Sequence, residues 1–332
     1  MRELINRNVI VSNKLDQFVP VFQVTENCWL AVSGFGAHIK STQKKLIIQK
    51  KNIVEDYPID EIKNLLLVGG HTLNTTAIQQ LIKNGAFISF FEPDGTPVGT
   101  IRPFGNRGDD ALYELQKAIP RQRYAITIVE ASIKSRLSAI GQMEERLNNR
   151  LFYEGELEFL RKSQEELGYL IKLDEIRRLH RLTSDMYYEI MSRVLPPDLG
   201  FRRRTLRPHT DPVNAMLSFG YAMLYGNCCV SIIGSRMNPD IGLIHDESGS
   251  LVHDLIDPLK TQMIDRVVFS IARESLQPGD FELTSDRCML SDPLIKKMTE
   301  LFHGSLDCQK INEQVLSLSN AMRNNSEFRV LY

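Results

Sequence analysis

Two neighbouring stretches of the chain carry histidine and carboxylates at spacings suited to phosphate chemistry. Gly242-Leu243-Ile244-His245 is a turn-like lead into an imidazole, and it is followed by Ser250-Leu251-Val252-His253-Asp254-Leu255-Ile256-Asp257-Pro258. Asp254 and Asp257 stand three positions apart, so on a helix both carboxylates project from one side, about one turn apart, and can share a cation. Asp257-Pro258 also resembles an N-cap followed by proline at the first helical position, which would give Asp257 a structural task instead. One histidine with two carboxylates is a mixed nitrogen and oxygen set. It suits Mn2+, accepts Mg2+, and leaves room for water and phosphate oxygens. An ion held there would polarise a phosphodiester and neutralise charge developing during phosphoryl transfer. His253 points about 100° away from Asp254 on a helix and reads as a packing residue.

The second kind of chemistry is basic. Phe201 to His209 places four arginines, Arg202, Arg203, Arg204 and Arg207, within six positions of a loop flanked by prolines. Guanidinium groups keep their charge and grip phosphate oxygens bidentately, which suits a nucleic-acid backbone; a solvated, salt-bridged surface has the same composition. Upstream, Arg177, Arg178 and Arg181 surround His180, and Arg121, Arg123, Lys134 and Arg136 add further charge. Taken one at a time, each of these reads as part of a solvated helix face.

The elements that must position these residues fall into two parts. In 332 residues, 42% hydrophobic and 24% charged, there is material for two cores, and the formal net charge of −1 excludes an overall polycation but not a local basic stripe. Residues 1–104 are strand-rich, with apolar runs at 29–35, 44–51, 64–70 and 86–99, an Asp94-Gly95 turn, and one helix over about 75–84 that ends at Gly85. Residues 105–108 read as a linker. Residues 109–332 are mostly helical by periodicity, with helices over about 110–150, 155–170 and 173–194 and loops near 195–210, 236–249 and 277–281. The expected fold class is α+β, a small β-rich N-terminal domain followed by a larger all-α C-terminal domain. The uncharged stretch 212–235 is long enough to cross a bilayer, but polar residues and glycines punctuate it, so a buried helix or helix pair is expected and no membrane. Five cysteines without CxxC spacing, and an N-terminus whose apolar residues are broken by charge, fit a reduced cytoplasmic protein.

Read in order, these pieces resemble the CRISPR adaptation integrases. The segment FRRRTLRPHTDPVNAMLSFGYAMLYG (201–226) is similar to that family's arginine loop and central helix, with Arg204, Pro208, Asp211, Pro212, Asn214, Ser218 and Tyr221 at matching places. GLIH (242–245) and SLVHDLIDPLKTQMIDRVV (250–268) resemble the stretches that supply its histidine and acidic ligands, and 62–103 resembles the end of its β-domain. The resemblance implies a metal-dependent DNA integrase and endonuclease that joins 3′-hydroxyl ends to a repeat by transesterification. It implies Mn2+ or Mg2+ held by His245, Asp254 and Asp257. It also implies duplex or branched DNA gripped by Arg177, Arg181, Arg202, Arg203, Arg204, Arg207 and Asn214. A homodimer formed through the β-domain, and a small ferredoxin-like CRISPR partner nuclease, belong to the same implication.

One position departs from the pattern. The family's first ligand is a glutamate seven residues before an aromatic; with Tyr187 in the aromatic place, that position holds His180. Imidazole removes one negative charge and is a poor Mg2+ ligand. Three readings stay open: His180 as a ligand in a retuned site, a site altered in a DNA-binding relative that acts as a scaffold, or a register one turn away with Asp185 or Asp174 in the role.

Overall fold

The computed structural model describes residues 23–24, 29–104, 110–205, 208–284 and 287–332. The chain forms two compact units, one of Met1–Glu114 with Cys229–Asn238 and one of Leu115–Cys228 with Pro239–Tyr332. The expected linker at 105–108 lies outside the described residues. The first unit also differs from a single break there by taking in 229–238. The physical reason lies in two contacts: the Asn64 side-chain amide donates to the Gly234 carbonyl at 2.7 Å, and the Arg236 guanidinium sits 4.5 Å over the Phe87 ring.

The first unit holds strands β1 (Gln23–Val24), β2 (Trp29–Ser33), β3 (His38–Ser41), β4 (Lys45–Lys50), β5 (Ile53–Pro58), β6 (Asn64–Val68) and β7 (Thr72–Leu73). Helix α1 (Thr75–Lys83) and strands β8 (Phe87–Phe91) and β9 (Pro97–Ile101) follow. Two sheets result, ordered β1-β2-β6-β8-β9 and β5-β4-β3-β7. The β2–β6 and β6–β8 pairs are parallel, and β8–β9 is an antiparallel hairpin. A central parallel strand is covered on both faces, which explains why all five residues of Asn-Leu-Leu-Leu-Val in β6 are buried. Helix α1 starts where the Asn74 side chain accepts the Thr76 N–H at 2.8 Å, and Gly85, at φ +78°, ends it with no strain from a Cβ. At the hairpin turn the Asp94 carboxylate accepts the Thr96 N–H at 2.9 Å.

The second unit is largely helical: α2 (Asp110–Ala118, straddling the division), α3 (Arg121–Leu147), α4 (Glu156–Glu166), α5 (Leu173–Ser192), α6 (Pro212–Gly234), α7 (Ser250–Ile256), α8 (Arg266–Glu274), α9 (Asp292–Ser305) and α10 (Cys308–Asn324). Pro120 separates α2 from α3, so the helix expected over 110–150 is two. A small antiparallel hairpin, β10 (Phe281–Leu283) with β11 (Cys288–Leu290), interrupts a region expected to be helical. Helix α6 is a single helix long and apolar enough to cross a membrane, and 72% of its most apolar window is buried inside the chain.

Two irregular turns follow α7. Asp257–Leu259 tightens into a 3-10 turn, and Thr261–Asp265 widens into a π-helical turn. Asp257 itself has helical dihedrals, φ −57° and ψ −45°, so the expected N-cap at this residue is not formed. Its side chain is turned to other partners.

Gly220 marks the tightest helix contact of α6. A Cβ there would collide with Ile264 Cγ2 and come within 2.8 Å of Phe302 Cζ, both on fully buried side chains. Gly220→Val should therefore lower stability by about 3 kcal/mol through overpacking, despite removing a helical glycine. Urea denaturation of the two proteins measures it.

Candidate active site

Helices α3 and α5, the 242–246 loop and the turn after α7 bring five side chains to one place, Arg136, His180, His245, Asp257 and Lys260. Asp257, 6% exposed, is its centre. Its Oδ2 accepts from Arg136 Nη2 at 2.6 Å and from His180 Nε2 at 2.8 Å, and its Oδ1 accepts from Lys260 Nζ at 2.9 Å. The His180 and His245 rings lie 5.9 Å apart between centroids. His180 and Arg136 are themselves 8% and 4% exposed, whereas the His245 side chain keeps 33% of its surface.

Asp254 does a different task from the one expected. It is fully buried; its Oδ2 accepts the backbone N–H groups of Leu243 and Ile244 at 2.6 and 2.8 Å, and its Oδ1 accepts His245 Nδ1 at 2.6 Å. The two carboxylates therefore do not share a partner. Asp254 orients His245 through Nδ1 and leaves Nε2 out of that contact, in the manner of a carboxylate behind a working imidazole. The loop carrying His245 is clamped from outside: Arg121 donates to the His245 carbonyl at 3.0 Å and pairs with Asp246 at 2.7 Å, while Arg177 donates to the Ile244 carbonyl and pairs with Asp246 and Asp174. His253 is not in the cluster; its ring lies 5.0 Å from that of Tyr225.

Electrostatics follow from burial and pairing. Burial works against charge on Asp257, but Arg136, Lys260 and His180 overcome it and hold the carboxyl well below its ordinary range. Burial lowers His180, with Arg136 and Lys260 adding to it against the pull of Asp257. The hydrogen bond to Asp254 raises His245 in spite of burial. Beneath the cluster, the Tyr187 hydroxyl donates to Asp265 Oδ2 at 3.0 Å, the Tyr221 hydroxyl donates to Asp265 Oδ1, and the Tyr188 and Tyr221 hydroxyls are 2.6 Å apart. Lys260 Nζ lies 5.2 Å from the centre of the Tyr221 ring, which joins the two layers.

The expected DNA-contacting residues divide. Arg202, Arg203 and Arg181 are exposed, as is Arg178, and no carboxylate pairs with any of the four among the described residues. Arg207 lies outside the described residues. Arg204 is turned inward: it donates to the Asn214 carbonyl and side chain at 3.0 and 2.7 Å and to the Ser218 hydroxyl. Asn214 is 1% exposed and also donates to Asp211 at 2.7 Å and to the Arg203 carbonyl at 3.0 Å. Direct contact by Asn214 is therefore not what the structure provides, because its amide is spent on building the loop that displays Arg202 and Arg203. Arg177 is likewise committed to its two aspartates.

Arg136 and Lys260 went unrecognised as site residues. By charge alone Arg136 reads as part of a solvated helix face, yet the buried positions of α3 include Val129, Ile133, Arg136, Ile140 and Met143, so this arginine stands on a 4-3-4-3 stripe of otherwise apolar residues. A cation at such a position needs a buried anion, and that was the available signal.

The ion that the resemblance implies needs open donor atoms. Each of the four carboxylate oxygens of Asp254 and Asp257 already has a donor, and His180 Nε2 has given its lone-pair direction to an N–H. Among the described residues, no group of three or more His, Cys, Asp or Glu side chains is arranged to hold an ion. As folded, these residues do not fit a divalent cation.

Asp254→Ala would strand two buried N–H groups and should cost about 3 kcal/mol or more, read by urea denaturation. Asp254→Asn keeps one acceptor oxygen for both and should cost less than half as much.

Comparison with known proteins places this arrangement. The family model for CRISPR associated protein Cas1 matches residues 30–304. A Cas1 protein of Methanospirillum hungatei is 39% identical over 301 residues, covering 90% of this chain and 99% of that one. A CRISPR-associated endonuclease Cas1 of Thermus thermophilus is 28% identical, covering 82% of this chain and 84% of its own. Among solved structures, a casposase bound to its integration product superposes with a TM-score of 0.77 at 18% identity, over 91% of this chain and 98% of that one. A Cas1 protein of Thermotoga maritima gives 0.70 at 17% identity, over 93% and 99%. Shared fold, a family match over most of the length and a relative aligned nearly end to end agree: the chain belongs to the Cas1 family of CRISPR associated proteins.

Proposed function

We propose that this chain is a DNA integrase and endonuclease of CRISPR adaptation, working in the cytoplasm with its chemistry at the His180, His245 and Asp257 cluster. The observation that carries the reading is convergence. The α5 stretch, distant in sequence, is brought against the two neighbouring stretches at 242–245 and 250–258, each of which resembled a ligand-bearing segment of the family: His180 bonds to Asp257 at 2.8 Å and its ring lies 5.9 Å from that of His245. The reaction is an exchange of phosphodiesters. A DNA 3′-hydroxyl loses its proton and bonds to a phosphorus of the repeat strand, and the displaced 3′-oxygen leaves with a proton, so one phosphodiester is made for each one broken. With water as nucleophile the same geometry gives a nick.

His245 is the group that moves the proton, since Asp254 fixes its ring through Nδ1 and the side chain keeps 33% of its surface exposed. Asp257 holds His180 in place. Arg178, Arg181, Arg202 and Arg203 grip backbone phosphates, while Arg204 and Asn214 shape their loop. Family membership implies dependence on a divalent metal. The assembly is a homodimer formed through the β-rich residues 1–104, with residues 109–332 acting on DNA and a small ferredoxin-like partner joining two dimers. A structural neighbour is a Cas6-RT-Cas1–Cas2 complex, and a curated relative is a Cas4–Cas1 fusion, which supports an assembly of several chains.

Nicking and strand transfer on branched DNA, with Mn2+, with Mg2+ and with chelator, test the assignment. His245→Ala should lower the rate at least about 100-fold, and Asp257→Asn should also lower it; turnover unchanged in both would move the site elsewhere. Arg202→Ala with Arg203→Ala should weaken DNA binding at every sequence and reduce the slope of log affinity against log salt by about 2. Light scattering of the purified chain reads the dimer.

A further inference from the structure

We infer that Arg136 is the resident cation of this site, standing where a divalent ion would have to sit, so that the cluster is complete and competent to meet DNA without a bound metal. The inference rests on reading this cluster as the DNA-processing site. Arg136 Nη2 is 2.6 Å from Asp257 Oδ2 and 3.4 Å from His180 Nε2, and Nη1 is 3.4 Å from the Thr183 hydroxyl. The guanidinium thus spans the two side chains, one on α5 and one after α7, that a bridging ion would have to join.

Three features make this exchange self-consistent. First, charge: Asp257 faces two permanent cations, Arg136 and Lys260, and adding a dication would leave a strong positive excess in a space where the nearest side chains are buried. Second, the histidine at 180 complements the arginine. The imidazole nitrogen Nε2 and the guanidinium nitrogen Nη2 lie 3.4 Å apart and both reach the same oxygen of Asp257, at 2.8 and 2.6 Å. Third, Arg136 is held within the apolar stripe of the long helix α3, so vacating the position requires moving a buried charge rather than turning a surface side chain. A guanidinium is charged at every accessible pH and presents a planar fork of donors, properties that let it replace a metal as a fixed counter-charge but not as a Lewis acid.

The test measures ion binding directly, so it does not depend on turnover. Mn2+ is titrated calorimetrically into the wild-type chain, into Arg136→Gln, and into the double variant Arg136→Gln with His180→Glu. The wild type should show no stoichiometric Mn2+ binding in the millimolar range, and its thermal midpoint should be the same in Mn2+ and in chelator. The double variant should bind at least 100-fold more tightly, and His245→Ala added to it should abolish that gain. Stoichiometric submillimolar binding to the wild type that His245→Ala abolishes overturns the inference, as does a folded double variant that gains nothing. The wild-type titration decides the matter even if neither variant folds. Failure of the proposed function is separate: it shows as no DNA retention and no turnover in any ion or in chelator, whatever the calorimetry gives. Turnover in chelator supports both readings, and turnover strictly dependent on a bound ion retains the function and overturns the resident arginine.

Discussion

A buried carboxylate needs partners, and the arrangement of the helical unit can be followed from that need at Asp257. Taking an ionised group out of water costs several kcal/mol unless the loss is offset by charge and hydrogen bonds. Asp257 meets the condition through Arg136 from α3, His180 from α5 and Lys260 from its own segment. Each partner fixes the rotation of the element that bears it, because none can turn away without leaving a charge or a polar nitrogen unsatisfied. The second carboxylate repeats the logic at shorter range. Asp254 joins α7 to the 242–245 loop through two backbone amides and an imidazole, so the functional loop is held by a side chain rather than by a strand or helix of its own.

Much of this was legible from residue types. The strand runs, the Asp94-Gly95 turn, the single helix of the first unit and the buried nature of α6 follow from period, turn chemistry and punctuation, and the structure places them where periodicity does. Strands β3 and β5 carry little signal of their own: His38–Ser41 is too short for a period to show, Ile-Val-Glu-Asp-Tyr-Pro over Ile53–Pro58 has no alternation of apolar and polar residues, and pairing with β4 stabilises both. The β10–β11 hairpin escaped for the same reason, three residues a side being too few for a period to show.

The candidate site was legible in membership and not in roles. Spacing alone put Asp254 and Asp257 on one helical face, but α7 ends at Ile256 and the chain tightens at once, so the two acids serve different neighbours. Charge put Arg204, and the family resemblance put Asn214, at a DNA surface, yet each is spent on the other and on the turn around them. The most informative residue, Arg136, looked like one more cation on a long helix, and only its place in the apolar register distinguished it. Polar residues that break a periodic pattern were stronger signals than clusters of like charge.

The wide turn at Thr261–Asp265 has a consequence for how the two acidic layers are stacked. Eight positions separate Asp257 from Asp265, and at about 100° per residue a regular helix would set them roughly 80° apart around the axis. A turn that takes up one residue more than an α-helical turn sets every later side chain back around the axis by about 100°. Asp265 meets the Tyr187 and Tyr221 hydroxyls, while Lys260, bonded to Asp257, lies 5.2 Å from the centre of the Tyr221 ring. The irregularity changes the phase between the two acids, so that one continuous stretch of chain serves two sets of partners.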